Sequence, residues 1–439
     1  MRLQRILAAV IITALLVSGC SSMGLGKSEI LTPPKASGTR AEVQRLIEND
    51  AGGSFSLIYP TDGSNKNGLT LHDINNDGIE EAVALYSTAD HTPRILIAQT
   101  QDDAFQPLGS ADLVSANVSG LSFIDFDGNG REELLLSFDI GTPHAALQTF
   151  LISDSVVASN TEESFINYVT GDFDKDSSID LLLMTAQDGE SSAKAKLLTF
   201  SEKGFREKTF CEIDPAVTSY ISLRFDKISG DLSGAAADGA LADGGCTTQL
   251  IYYDSAANIL VNPLYLNSNY KRSIRNSSVT CLDIDGDGAL NIPLSSVMDH
   301  AKDEVESTVC SVARWNDYDP EHMSLSFKKD SVLCEKLDFM LLFDTDKLKN
   351  VTARYSADNA VTLYSVTYKE DEPVLGKELL TVYRYDKSSY DSSLTAQAKL
   401  FDTTDYTYTY ILSEDAPFSH DDIKESFMLL SGDTSSKQK

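Results

Sequence analysis

The chain is poor in the residues that most chemistry needs. It has one Trp and six His among 439 residues. The histidines, at 72, 91, 144, 300, 322 and 420, show no metal-ligand spacing. No G-x-S-x-G, H-E-x-x-H or G-x-x-x-x-G-K-[ST] occurs, so no nucleophile elbow, zincin helix or phosphate-cradling loop is indicated. The absence of C-x-x-C argues against a thiol redox motif or a zinc ribbon. Basic residues are scarce: 36 Lys and Arg stand against 66 Asp and Glu, for a net charge of −30. Such a surface repels nucleic acid and anionic headgroups, and no nucleic-acid partner is expected. Beyond the first 20 residues, no apolar run approaches the 18 residues of a membrane helix.

Acidic loops stand out in what remains. Four are present: Asp73-Ile-Asn75-Asn-Asp77-Gly78, Asp125-Phe-Asp127-Gly-Asn129-Gly130, Asp172-Phe-Asp174-Lys-Asp176-Ser177 and Asp283-Ile-Asp285-Gly-Asp287-Gly288. Oxygen side chains fall at positions 1, 3 and 5, a spacing that lets one short turn wrap a hard cation such as calcium. Position 9 adds Glu81, Glu133, Asp180 and Asn291. Position 7, which is Ile79, Arg131, Ser178 or Ala289, would offer its backbone carbonyl. Glycine at position 6 permits a sharp turn with positive φ. The third loop has Ser177 there. Position 2 is always apolar (Ile74, Phe126, Phe173, Ile284), as expected of a residue that points back into a core.

These loops do not read as EF-hands. An EF-hand needs a bidentate Glu at position 12 and a following helix. Position 12 here is Ala84, Leu136, Leu183 or Leu294. Short apolar runs, Ala82–Tyr86, Leu134–Phe138 and Leu181–Met184, follow the first three loops. Their length favours buried strands, with each loop a turn between neighbours.

The loop starts lie 52 and then 47 residues apart, followed by a gap of 111. Midway through that gap, Phe225-Asp226-Lys-Ile-Ser-Gly230-Asp231 reads as a degenerate copy without its ligands. A period near 50 matches one small antiparallel sheet per repeat, the size of a propeller blade. One blade cannot bury both faces, so several must pack together. A solenoid or a string of separate calcium modules is the weaker alternative.

The loop pattern with its flanking strands resembles FG-GAP/VCBS-type repeats, the calcium-loop blades of integrin α-subunit propellers and many bacterial surface proteins. The resemblance covers roughly residues 50–310. It implies that the matched carboxylates are structural calcium ligands. The FG and GAP tripeptides themselves are not evident, which leaves the subfamily open.

The chain begins with Arg2 and Arg5, an apolar stretch from Ile6 to Val17, and then Leu16-Val-Ser-Gly-Cys20. This fits a bacterial lipoprotein signal over 1–19, cleaved before an acylated (palmitate-bearing) Cys20. Such acyl chains would anchor the protein to the outer face of an envelope membrane. Residues 20–38 are small, polar and proline-bearing, as in a flexible tether. A short amphipathic helix is expected next, with Val43, Leu46 and Ile47 on one face. Five further cysteines (211, 246, 281, 310, 334) leave disulfides or buried free thiols open.

After residue 334 the acidic loops stop. Strands are expected at 339–343, 361–368, 379–385 and 406–410. A final helix should start at Ser419, with a Ser419–Asp422 capping box and a stripe of Ile423, Phe427 and Leu430. Two arrangements fit. One is a separate α+β domain over 335–432 with a disordered tail at 433–439. The other uses these strands to complete the ring. The favoured fold is mainly β: a propeller of about 50-residue blades over 39–334, five recognisable and up to seven, followed by the small α+β domain. The tyrosine-rich strands fit packing or a glycan-stacking surface. The expected function is a non-enzymatic, lipid-anchored calcium protein that presents loops to a protein or glycan partner. A polysaccharide lyase or hydrolase, or an envelope assembly factor, is the alternative.

Overall fold

The computed structural model describes residues 38–431, apart from 103, 142–143, 153–154, 188–191, 202–203, 267–272, 303, 392 and 394–396. The signal, the tether, Cys20 and the C-terminal tail lie outside these residues. The described chain is mainly β and antiparallel throughout.

Helix α1 (Thr39–Ala51) comes first and ends on Gly52 in the left-handed conformation. There the Gly52 and Gly53 N–H groups close back on Asn49 and Glu48 carbonyls, which satisfies the orphan acceptors of the last turn. Val43 and Ile47 are fully buried against Ala82, Ala84, Tyr86, Leu96 and Ala98. The helix thereby covers one face of the first sheet. That sheet contains β1 (Phe55–Leu57), β2 (Leu69–His72), β3 (Glu81–Thr88), β4 (Pro93–Gln101) and β5 (Ala104–Asp112).

The second sheet is a seven-stranded meander of β6 (Val118–Ile124), β7 (Glu133–Gly141), β8 (His144–Ile152), β9 (Val156–Gly171), β10 (Asp180–Thr185), β11 (Lys194–Ser201) and β12 (Gly204–Glu212). It carries two acidic loops, because the long β9 ends one repeat and opens the next. The third sheet is β13 (Val217–Ser229), β14 (Leu232–Leu241), β15 (Cys246–Asp254) and β16 (Ile259–Val261). The fourth holds β17 (Ile292–Val297), β18 (Ser311–Asp319), β19 (Ser324–Cys334) and β20 (Phe339–Phe343). The fifth holds β21 (Val351–Ala357), β22 (Ala360–Lys369), β23 (Glu372–Asp386), β24 (Ala398–Asp402) and β25 (Tyr406–Leu412).

The hydrophobic cores lie between successive units. One cluster joins Phe126 and Leu135 to Leu181 and Leu198. The next joins Phe173 and Leu182 to Ala235 and Ile251. A third joins Ile228 and Leu250 to Ile292 and Tyr318. Each repeat thus buries its faces on its neighbours, and the apolar runs after the loops become two-sided strands: Ala82–Tyr86 in β3 is buried throughout. Fully burying a side chain such as Phe126 contributes roughly 1.5–3 kcal/mol.

The C-terminal segment departs from expectation in two places. Ser419 does cap a helix (His420–Ser426), and the capping box with Asp422 is present. Phe427 and Leu430, however, are not on that helix. It stops at Ser426, and Phe427 opens β26 (Phe427–Leu429), which pairs with β20. A three- to four-residue apolar stripe at a helix end continues as an alternating strand when a sheet edge is there to receive it. In addition, β19 pairs with β20, so the boundary expected at 334/335 falls inside the fourth sheet. One apolar cluster runs from Met298 and Cys310 through Val332 and Phe339 to Val361, Tyr408 and Ile423. The five described cysteines are all buried and unpaired. Among the described residues no helix is long and apolar enough to cross a membrane.

Candidate metal centres

All four acidic loops bridge the same kind of hairpin. The residue before each loop pairs with its position 9: His72 with Glu81, Ile124 with Glu133, Gly171 with Asp180 and Leu282 with Asn291. Position 2 is buried in every loop, as its apolar character required.

The hydrogen bonding is common to the loops. The position-2 N–H donates to the position-9 side chain: Ile74 to Glu81 at 2.9 Å, Phe126 to Glu133 at 3.1 Å, Phe173 to Asp180 at 3.2 Å and Ile284 to Asn291 at 2.9 Å. The position-6 N–H donates to the position-1 carboxylate, at 2.8 Å for Gly78 on Asp73 and for Gly130 on Asp125. Ser177 on Asp172 and Gly288 on Asp283 repeat it at 3.1 and 2.9 Å. The position-7 N–H groups of Ile79, Arg131, Ser178 and Ala289 donate to the position-5 side chains of Asp77, Asn129, Asp176 and Asp287. In the first three loops the position-5 N–H donates to position 3, from Asp77 to Asn75, Asn129 to Asp127 and Asp176 to Asp174. The fourth loop differs, since Gly286 N–H takes the Asp283 oxygen instead. Backbone donors thus orient the side-chain oxygens of each turn.

Two positions in every loop are left-handed. Position 6 has φ of 87° at Gly78, 86° at Gly130, 76° at Ser177 and 84° at Gly288. Position 4 is left-handed too, at Asn76, Gly128, Lys175 and Gly286. The second requirement was hidden in the sequence because Asn76 and Lys175 stand where the other two loops have glycine.

Acid oxygens gather in three loops. Asp125, Asp127 and Glu133 form one cluster, Asp172, Asp174 and Asp176 another, and Asp283, Asp285 and Asp287 a third, each with oxygens within 4.8 Å of one another. Each cluster can hold a metal ion. The first loop assembles no such trio, because Asn75 replaces an acid at position 3 and its amide donates to Glu81.

Position 9 is the buried end of each site. Burial, with Asp127 and Asp125 nearby, pushes the Glu133 carboxyl up to about 7. Burial and the Asp174 charge push Asp180 up to about 7 as well. Glu81 is raised for the same reasons. Asp180 is 1% exposed, and its Oδ1 has no hydrogen-bond partner. A buried carboxylate oxygen without a donor is costly unless something fills the gap.

Three further residues belong to the sites and were not legible as such. Lys208, from β12, pairs with Asp174 and lies 4.7 Å over the Tyr253 ring. Lys328, from β19, reaches Asp285 at 2.6 Å, Asp317 at 3.5 Å and Asp287 at 3.9 Å. Asp317 also accepts from the Asn291 amide at 2.7 Å, so it supplies from β18 the charge that position 9 lacks. His72 is a packed bridge between repeats: it pairs with Glu132 beside the second loop and stacks on Phe123.

Neighbouring loops are joined in register. Glu132 N–H donates to the Ile74 carbonyl at 2.8 Å, Ile179 to Phe126 at 2.9 Å, and Leu290 to Lys227 at 2.9 Å. In each case position 8 of one loop meets position 2 of the preceding copy. Lys227 holds that place in the degenerate copy, which the contact identifies as the structural fourth.

No family model matches the chain, and no curated protein matches it. Among solved structures the chain is similar to a rhamnogalacturonan lyase of Bacillus licheniformis, at 11% identity over 74% of this chain and 77% of that one, with a TM-score of 0.31. A likeness that loose carries no statement about activity.

Proposed function

We propose that this chain is a calcium-stabilised β-propeller, lipid-anchored through Cys20 on the outer face of a bacterial membrane, and that it binds a partner without turnover. One observation carries the cation. Asp180 Oδ1 is buried without a donor beside the Asp172, Asp174 and Asp176 cluster, and a cation bound there would satisfy it. The same wiring in the other loops extends the reading to them. A set of carboxylates, an amide oxygen and a backbone carbonyl on one flexible turn suits calcium, whereas magnesium demands a tighter octahedron and retains its waters.

Support for a ring comes from the repeated contact between loops. The same hydrogen bond joins the first copy to the second, the second to the third and the fourth to the fifth, as neighbours set alike around an axis would make it. A rotation that closes leaves no sheet face uncovered. The lipid anchor rests on the Arg2–Cys20 segment alone.

The test is thermal unfolding of the full chain in detergent, with excess EDTA and then across a calcium titration. A calcium-dependent rise, reduced by Asp125→Ala or Asp283→Ala, is expected. No shift, with no heat of binding by calorimetry, overturns the calcium reading. A pull-down from membrane extract set beside a glycan array then separates a protein partner from a glycan.

A further inference from the structure

The four loops differ in what neutralises them. At their ligand positions, loops 1 and 2 each bring three carboxylates: Asp73, Asp77 and Glu81, and Asp125, Asp127 and Glu133. Among the described residues, no lysine, arginine or histidine pairs with any of these six. Loop 3 brings Asp172, Asp174, Asp176 and Asp180, and Lys208 sits on Asp174. Loop 4 brings Asp283, Asp285 and Asp287, with Asp317 behind Asn291, and Lys328 sits among three of them. An additional carboxylate and a lysine thus arrive together.

We infer that Lys208 and Lys328 are built-in counter-ions that make the third and fourth loops conditional cation sites, filled only when calcium displaces an ammonium, while the first and second loops fill without competition. This rests on the calcium reading above. The geometry shows why the ammonium holds its place yet yields. The Asp174 side chain is 5% exposed, so leaving it unpaired is unfavourable, and the Tyr253 ring steadies the lysine. Lys208 nonetheless leaves Asp180 Oδ1 without a partner. An ammonium offers three donors at one point, whereas a calcium ion takes six to eight oxygens around it. The ion therefore gains a buried ligand that the lysine does not reach, at the cost of breaking an ion pair. In loop 4 the lysine spans Asp285, Asp287 and Asp317, and there the ion would gain by taking the place of one ammonium among several carboxylates. Both lysines are about a third exposed, so each can swing to solvent without unpacking a core.

The experiment is calcium chloride titration of the full chain in detergent by calorimetry, with circular dichroism checking each variant's fold. The wild type should show two classes of site, separated on the order of tenfold, because filling a weak site first breaks a lysine–carboxylate pair that the tight sites lack. Asp125→Asn should remove a tight site and Asp172→Asn a weak one. Lys208→Gln with Lys328→Gln should tighten the weak class on the order of tenfold and lower the melting temperature in EDTA. Lys208→Arg with Lys328→Arg should keep both classes apart. One class of equal sites in the wild type, or unchanged affinities in the glutamine variant, overturns the inference and leaves the calcium reading standing. No calcium heat in any variant overturns both.

Discussion

The third and fourth repeats solve the same problem in different ways. Both join one strand to its antiparallel neighbour, but among the described residues only the fourth passes the position-2 carbonyl contact on to the next copy, through Lys227 and Leu290. In the third repeat the pairing stops at Gly171↔Asp180, with eight residues spent on an acidic turn. In the fourth the ladder runs on through Asp226↔Gly234 to Ser229↔Leu232, and the chain turns back within two residues. The oxygen side chains at positions 3, 5 and 9 are gone as well, replaced by Ile228, Gly230 and Gly234. Asp226 lies in a strand, and among the described residues its carboxylate accepts only from the next N–H, that of Lys227. The hairpin therefore does not need the loop in order to form. The extra residues build an oxygen-lined turn with two left-handed positions and a buried carboxylate, features that a plain hairpin avoids.

That contrast supplies its own control for calcium withdrawal, which should have the largest effect. Each filled site contributes about 2.7 kcal/mol at a hundredfold excess over Kd, and several sites act together. Hydrogen exchange should slow on calcium addition across 73–81 and 125–133. The hairpin at 229–232 should not respond. Equal protection of that hairpin would show that calcium acts on the whole fold rather than on the loops.

The next effect isolates one site. Asp125→Ala should remove about 2–3 kcal/mol of calcium-dependent stability, a one-site share. Asp226→Ala should stay within about 0.5 kcal/mol in either condition, as a substitution without a cation or a network to lose. Chemical denaturation with and without EDTA checks both. A large loss at Asp226 would mean that the fourth copy retains a metal role.

A third comparison concerns the seam between these repeats. A Cβ at Gly171 would lie 2.3 Å from the Phe225 ring. Phe225 packs against Phe173 with ring centroids 4.6 Å apart, and this pair joins the two copies. Gly171→Ala should cost about 1–3 kcal/mol through overpacking, with the same loss in calcium and in EDTA. A loss confined to EDTA would assign the glycine to the loop instead of the seam.

The sequence carried the local features and missed the distant ones. The acid spacing, the apolar position 2 and the strand after each of the first three loops are short-range patterns, and all are found where expected. The Ser419 cap was legible for the same reason. Lys208 and Lys328 were not, because each lies more than 30 residues from the loop aspartate it pairs with, and a lysine in a strand looks like any surface charge. Asp317 was hidden likewise. Phe427 was misassigned because helical and alternating spacing cannot be told apart over three or four residues. Only the waiting edge of β20 decides it.

The smallest effect bears on the loop backbone itself. Ser177 holds φ at 76° where the other three loops have glycine. An L-residue in the left-handed region costs roughly 1–2 kcal/mol relative to the right-handed one. Glycine relieves that cost but adds unfolded-state entropy worth about 0.5–1 kcal/mol. Ser177→Gly should therefore stabilise the protein by about 0.5 kcal/mol, provided that the serine hydroxyl adds nothing to the turn. The reciprocal change, Gly130→Ser in the second loop, should cost a similar amount, and both are measured by denaturant midpoint in EDTA. The open space around a Cβ at Gly130 makes this a backbone effect and not a clash. If Ser177→Gly gave no gain while Gly130→Ser still cost stability, the hydroxyl of Ser177 would have to stabilise the third turn. The third loop would then be a distinct solution rather than a strained copy of the second.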